Sequence, residues 1–245
     1  MRFNDIFSKS WQEYKKNFKL FLKIYSVFYL IPLLVLSLFA VLISLQENLS
    51  AGLSVLYIII LIGVLFFSYW LHLTIYYISI YNEKNLNFKK AVKNSLKYFW
   101  KFLGLGIVLG LALLGLFILL IIPGIIFMIF WMFSPYVLMK ENKKIIESMK
   151  TSKKIVKGKW WSVFGYFILL ILIIISISLA FFIPAVIINF AIILLTASSE
   201  TPGLSVVIST EIISFIFRLA ATLITTPLMI LFFKNFYLDL KASKK

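Results

Sequence analysis

The 245 residues are 62% hydrophobic and only 14% charged, with a mean hydropathy of +1.02 and a formal net charge of +16. A soluble domain carries an apolar share of about half, so this composition excludes an ordinary soluble fold. Cysteine is absent, which excludes a disulfide framework, a thiol nucleophile and a cysteine metal site.

The N-terminal segment, MRFNDIFSKSWQEYKKNFK, lacks a short apolar core with a small-residue cleavage site, so the first hydrophobic run is expected to act as an uncleaved anchor. The chain carries no charge from Asn48 to Asn82, from Phe102 to Met139, or from Trp160 to Ser199. A membrane-spanning helix needs about 20 such residues. The first two crossings are read at Ile24–Leu45 and Leu53–Tyr81, joined outside by QENLSAG. The 38 uncharged residues of Phe102–Met139 would make about 57 Å of helix, enough for two crossings. Pro123-Gly124 is the expected reversal between Phe102–Ile122 and Ile125–Met139. Trp160–Ile183 and Ser205–Phe233 complete six crossings, and Pro184–Ala197 either extends the fifth or lies near the outer surface.

Positive charge is distributed unevenly. Six Lys or Arg lie in residues 1–23, six in 82–101, eight in 140–159 and four in 234–245, leaving Arg218. The segments Gln46–Ser50 and Ser198–Gly203 hold Glu47 and Glu200 and no lysine. This is the positive-inside pattern, so both termini are expected on the cytoplasmic side of the cell membrane.

Three of the basic segments share a register. Phe3, Phe7, Trp11, Tyr14 and Phe18 correspond to Phe88, Val92, Leu96, Phe99 and Leu103, and to Ile145, Met149, Lys153, Val156 and Trp160. Ser10, Ser95 and Ser152 fall in the same register. Each segment reads as an amphipathic helix lying in the cytoplasmic interface, apolar stripe toward the bilayer. The expected fold is all-α: one transmembrane domain over residues 1–245, with six crossings as three hairpins, each preceded by a basic amphipathic helix. Its weak repeats run over about 1–81, 82–139 and 140–233. Lys15, Lys16, Lys89, Lys93, Lys150, Lys153, Lys154 and Lys157 are the expected contacts to anionic phospholipid headgroups. Trp11, Trp100, Trp160 and Trp161 are the expected interfacial anchors.

Chemistry is sparse. His72 is the sole histidine, and no phosphate-binding glycine loop, HExxH helix or GxSxG elbow is present. No catalytic residue, metal site or cofactor is therefore expected, and the chain is not read as an enzyme. Most acidic residues accompany the basic segments; Glu211 alone falls in a membrane run. Glu211, Ser214, Arg218, Thr222 and Thr225 step by 3, 4, 4 and 3, which makes a polar seam on one face of the last crossing. A charge facing lipid costs several kcal/mol, so the seam is expected to face the bundle interior, with Glu211 and Arg218 paired through water. The seam reads as structural glue, or as a site for a substrate, a lipid phosphate or an ion. His72, with Ser68, Tyr76 and Ser79, reads as an interior histidine, or as a proton relay whose partner is not identified. Gly106 and Gly110 form a GxxxG pair expected to allow close helix packing, with a glycine-lined pore as the sharper alternative.

The stretch PGIIFMIFWMFSPYVLMKENKKIIESMKTSKKIVKGKWWSVFG resembles the polytopic membrane domain attached to some glycerophosphodiester phosphodiesterases and related stand-alone membrane proteins. The residues that carry the resemblance are Pro123-Gly124, Pro135, Glu141, Ser152, Lys157-Gly158 and Trp160-Trp161, with Pro227 and the closing FYLDLK. An arginine that often follows the Pro-Gly turn is missing here. The resemblance implies a six-helix membrane domain that handles or senses lipid; these residues include no phosphodiesterase domain. The expected function is transport or organisation of a membrane component in association with lipid. The alternative is an anchor or scaffold that recruits a soluble enzyme through its basic face. The expected partners are the lipid bilayer and a soluble or membrane protein, not nucleic acid.

Overall fold

The computed structural model describes residues 2–44, 51–81, 87–196 and 204–243. The expected outer turns with Glu47 and Glu200, and Glu83, lie outside the described residues. Those described form helices α1 (Phe3–Ser44), α2 (Ala51–Tyr81), α3 (Phe88–Ser95), α4 (Phe99–Leu119) and α5 (Ile121–Trp131). They continue as α6 (Ser134–Glu141), α7 (Ile145–Val156), α8 (Trp160–Thr196) and α9 (Leu204–Ala242), with a single 3-10 turn, Leu96–Tyr98, between α3 and α4. Among the described residues there is no strand. Five helical segments are long and apolar enough to cross a membrane: Val55–Tyr81, Phe88–Leu119, Ile121–Glu141, Trp160–Thr196 and Ser209–Ala242. The expected first crossing, Ile24–Leu45, falls partly outside the described residues; its backbone is helical to Ser44.

The three basic segments join their crossings in three different ways. In the first there is no separate surface helix, because α1 runs unbroken from Phe3 through Lys23 into the apolar run. No glycine or proline separates the two halves. In the second, the 3-10 turn makes the joint. In the third, Gly158 takes φ +87°, a left-handed value that favours glycine, and ends the run between α7 and α8.

The line these segments bury runs beside the apolar stripe and shares Tyr14, Phe99 and Val156 with it. Ile6, Ser10 and Tyr14 are buried, and so are the equivalent Ala91, Ser95 and Phe99, and Ser148, Ser152 and Val156. The stripe residues Phe3, Phe7 and Trp11 flank that line half-buried, and Phe18 and Leu96 are exposed. The stripe is thus partly occupied with protein packing rather than turned wholly to a bilayer: Phe3 lies against Tyr166 and Phe232 at 5.4 and 5.1 Å. Lys153, which interrupts the third stripe, lies over the Phe127 ring at 4.9 Å, so its stem stays against apolar surface.

The three serines in register each bridge to another element. Ser10 Oγ accepts from Asn235 Nδ2 of α9 at 3.0 Å. Ser95 Oγ accepts from Trp70 Nε1 at 3.1 Å and meets Thr74 Oγ1 at 3.0 Å, both on α2. Ser152 Oγ accepts from Phe133 N at 3.2 Å and donates to Phe130 O at 2.6 Å. The last contact has a cause in the sequence. Pro135 has no N–H to continue an α-helical ladder, so the run Ile121–Glu141 breaks between α5 and α6, and Ser152 bonds the backbone groups at the break.

The reversal between α4 and α5 comes earlier than expected. Leu120 is extended (φ −157°, ψ 128°), and Pro123 lies in the first turn of α5, where its missing N–H leaves no bond unmade. Gly124 then contributes closeness rather than a turn, since a Cβ there would come within 2.5 Å of the Phe117 ring. The GxxxG expectation is corrected in the same way. A Cβ on Gly110 would meet nothing within 4 Å and one on Gly106 only the Tyr69 hydroxyl at 3.9 Å, so neither glycine is required by close packing. Pro184 lies inside α8, which runs on to Thr196, so that segment extends the helix of the expected fifth crossing.

Candidate functional site

Helices α8 and α9 pair along their length, and between them lies a cavity of about 300 Å³. Four members of the expected seam line it: Ser214, Arg218, Thr222 and Thr225. They fall together because their spacing keeps them on the face of α9 turned to α8. From α8 come Ser178 and Asn189, and the rings of Phe181 and Phe217 supply apolar wall. Phe182 and Val186 also line the cavity and are exposed, so it opens on the flank of the helix pair.

The hydrogen-bond inventory of this cavity is incomplete. Asn189 Nδ2 donates to Ser214 Oγ at 2.8 Å, while Asn189 Oδ1 is buried without a partner. Thr222 Oγ1 bonds to Arg218 O at 2.9 Å, and Thr225 Oγ1 to Ala221 O at 2.9 Å, so both hydroxyls are occupied with their own helix. Arg218 is exposed, and among the described residues its guanidinium has neither a hydrogen-bond nor an ion-pair partner. The cavity is therefore lined by an unpaired cation, and Asn189 in its wall keeps a buried acceptor without a partner about a turn away.

Two expectations for the seam are corrected. Glu211 is exposed and outside the cavity, so the seam does not turn as a whole to the interior. Two helical turns, about 10 Å, separate it from Arg218, the reason only a water-bridged pair is expected between them. Arg218 faces a groove between two helices rather than the interior of the bundle. His72 is likewise not interior: it is exposed, and its Nδ1 lies 2.9 Å from Ser68 O on its own helix. The buried face of α2 is Leu71, Thr74, Ile75 and Ile78, one position away, where apolar residues fill the core.

The eight lysines expected at headgroups are all exposed. Of the four tryptophans, Trp100 and Trp161 are exposed, whereas Trp11 stacks on Tyr14 at 5.3 Å. Trp160 donates to Ile126 O at 3.3 Å and stacks on Phe164, so it docks α8 on α5 rather than standing free.

Sequence reasoning passed over two acidic residues at the basic end. Lys234 is buried and paired with Glu13. Glu141 Oε1 accepts from Tyr237 Oη at 2.6 Å and Lys241 Nζ at 2.7 Å, and its Oε2 lies 3.1 Å from Lys143. A carboxylate near lysines in sequence looks like surface charge; only the contact of α1 and α6 with α9 makes these clasps, the first of them around a buried Lys234. Asn189 was missed because one amide in an apolar run carries no pattern. Among the described residues no group of three metal-ligating side chains occurs.

The helices, the five candidate spans and this flank cavity fit a multi-pass membrane protein. Residues 91–240 match the family described as Domain of unknown function (DUF7847), which covers more than half of the chain, and the chain belongs to that family. The match takes in the stretch Pro123–Gly165, and the resemblance of that stretch to the membrane domain of glycerophosphodiester phosphodiesterases is thereby corrected: the family found there is a different one. No curated protein and no solved structure matches the chain.

Proposed function

We propose that this is a lipid-associated protein of the cytoplasmic membrane that transports or organises a membrane component without catalysing a reaction. In this reading six crossings form three hairpins, each led by a basic segment, and both termini lie on the cytoplasmic side. One observation carries the reading. The basic segments gather at one end, through the Ser10–Asn235, Glu13–Lys234, Glu141–Lys241 and Lys101–Asn142 contacts, and all eight lysines named above are exposed there. A lysine beside an anionic membrane surface contributes about 1 kcal/mol, so several acting together make a strong attraction for anionic headgroups. The test is the full-length protein in nanodiscs that mix zwitterionic and anionic lipid. Anionic lipid should co-purify with the protein, and replacing Lys150, Lys153, Lys154 and Lys157 by Gln should reduce it. Equal enrichment in the variant would defeat the reading.

A second reading, recruitment of a soluble partner, has an observation of its own. At the basic end Lys101, Asn142, Lys143 and Lys144 surround a cavity of about 470 Å³ with Ile145 and Ile146. A cationic, partly apolar groove of this kind suits an acidic amphipathic segment. Co-purification of a soluble protein that is lost in Lys101→Glu would favour this second role, whereas substrate-dependent uptake into vesicles would favour the first.

A further inference from the structure

From the cavity between α8 and α9 we infer a binding site for a single phospholipid of the leaflet opposite the lysine clusters, with Arg218 holding its phosphate. The inference deepens the lipid-associated reading above and rests on it for the sidedness.

Depth is the first argument. At 1.5 Å per residue, Arg218 lies about 24 Å along α9 from Lys234, and Ser214 about 30 Å, the thickness of a hydrocarbon core. A second ruler starts at Trp160, taken at headgroup level. A core that begins one turn later, near Phe164, ends about 30 Å further along α8, near Pro184. Ala185 and Arg218 line the same cavity, so the two rulers put the guanidinium within a turn of the same far boundary. From there the arginine side chain, leaning toward the N-terminal end of α9, reaches outward to the phosphates of the far leaflet. Thr225, at the other end of the cavity, is about 14 Å from Lys234 by the first ruler, near the middle of the membrane. The cavity thus runs from the far headgroup level to the midplane, the span of one leaflet.

Chemistry is the second argument. The unpartnered guanidinium has a planar fork of donors that matches a phosphate. About one turn further out, Asn189 Oδ1 is a buried acceptor with no partner. A buried acceptor left unmade is unfavourable, and a turn of the Asn189 amide would present it to a headgroup hydroxyl or ammonium. Phe217 beside Arg218, and Phe181 and Ala221 deeper in, give an apolar wall for an acyl chain, and exposed Phe182 and Val186 at the mouth leave a lateral way in from lipid. An anion high, a donor beside it and a chain below describe a glycerophospholipid. They also explain how an arginine is tolerated in this run: at this depth it meets phosphate, not acyl chains.

The test titrates the full-length chain in detergent with short-chain phosphatidylglycerol and follows adducts by native mass spectrometry. A one-to-one adduct is expected. Arg218→Leu should weaken it about tenfold or more, as befits a lost charge-assisted bidentate contact. Arg218→Lys and Asn189→Leu should weaken it by less, and they carry the comparison if Arg218→Leu does not fold. Diacylglycerol, which lacks the phosphate, and glycerol phosphate, which lacks the chains, should each bind more weakly than the phospholipid. Unchanged binding in a folded Arg218→Leu variant would overturn the site. Glycerol phosphate binding as tightly as the lipid would overturn the lipid as its source. Sidedness is read separately, because a chain without cysteine permits clean single-cysteine labelling. An impermeant thiol reagent should reach Phe190→Cys only from the side opposite the lysine clusters, and labelling from the lysine side would overturn the leaflet assignment. The lysine variants of the preceding section read the general lipid association independently, so failure of one is distinguishable from failure of the other.

Discussion

Lys234 of α9, 5% exposed, is ion-paired with Glu13 of α1, 221 residues away in the chain. The pair ties the first and last helices together one helical position from the Ser10–Asn235 bond. A buried ion pair is weak evidence of net stability, since desolvation offsets much of its Coulomb attraction. Removing one member is different, because it strands a buried charge.

The first prediction follows from that asymmetry. Glu13→Leu or Lys234→Met alone should destabilise the protein by about 3–5 kcal/mol, and the double variant by much less than the sum. Thermal unfolding of the purified protein in detergent measures all three. Additive losses would mean that the two side chains do not act as a pair.

The serine bridges give a second prediction. Ser152→Ala should lose about 1–3 kcal/mol, because it leaves the Phe133 N–H at the α5–α6 break without its partner. Ser26→Ala should lose less than about 0.5 kcal/mol, because among the described residues that hydroxyl bonds only to Leu22 O on its own helix. If both variants unfold at the same temperature, Ser152 does not brace the break.

The α4–α5 reversal supplies a third. Gly124→Ala should destabilise the protein by about 1–3 kcal/mol through overlap with the Phe117 ring, and Phe117→Leu should restore part of the loss. Gly110→Ala meets nothing and should be neutral or stabilising by up to about 1 kcal/mol. Equal effects at the two glycines would show that the hairpin is not packed as described.

Helix type and placement were readable because hydropathy and length leave few alternatives for an apolar run. The register of Ser10, Ser95 and Ser152 was readable too, yet the face it lies on was misjudged. The eye follows Phe3, Phe7 and Trp11, which stay half-buried, whereas the bundle buries Ile6 and Ser10 beside them and, of the stripe itself, Tyr14. In an apolar environment large side chains can stay on the flank while small polar ones pack between helices. The turn at Leu120 was missed because Pro123 suits the first turn of a helix as well as it suits a break. At the candidate site the periodicity on α9 was legible, but Asn189 needed the facing helix.

The account rests most heavily on the basic end lying on one side of a membrane and the far end of the α8–α9 hairpin on the other. Single cysteines at Ser243 and at Glu200, the latter beyond the described residues, probe the two ends in the full chain in sealed vesicles. The account predicts that an impermeant thiol reagent labels Ser243→Cys only from the cytoplasmic side and Glu200→Cys only from the opposite side. Labelling of both from the same side would contradict it.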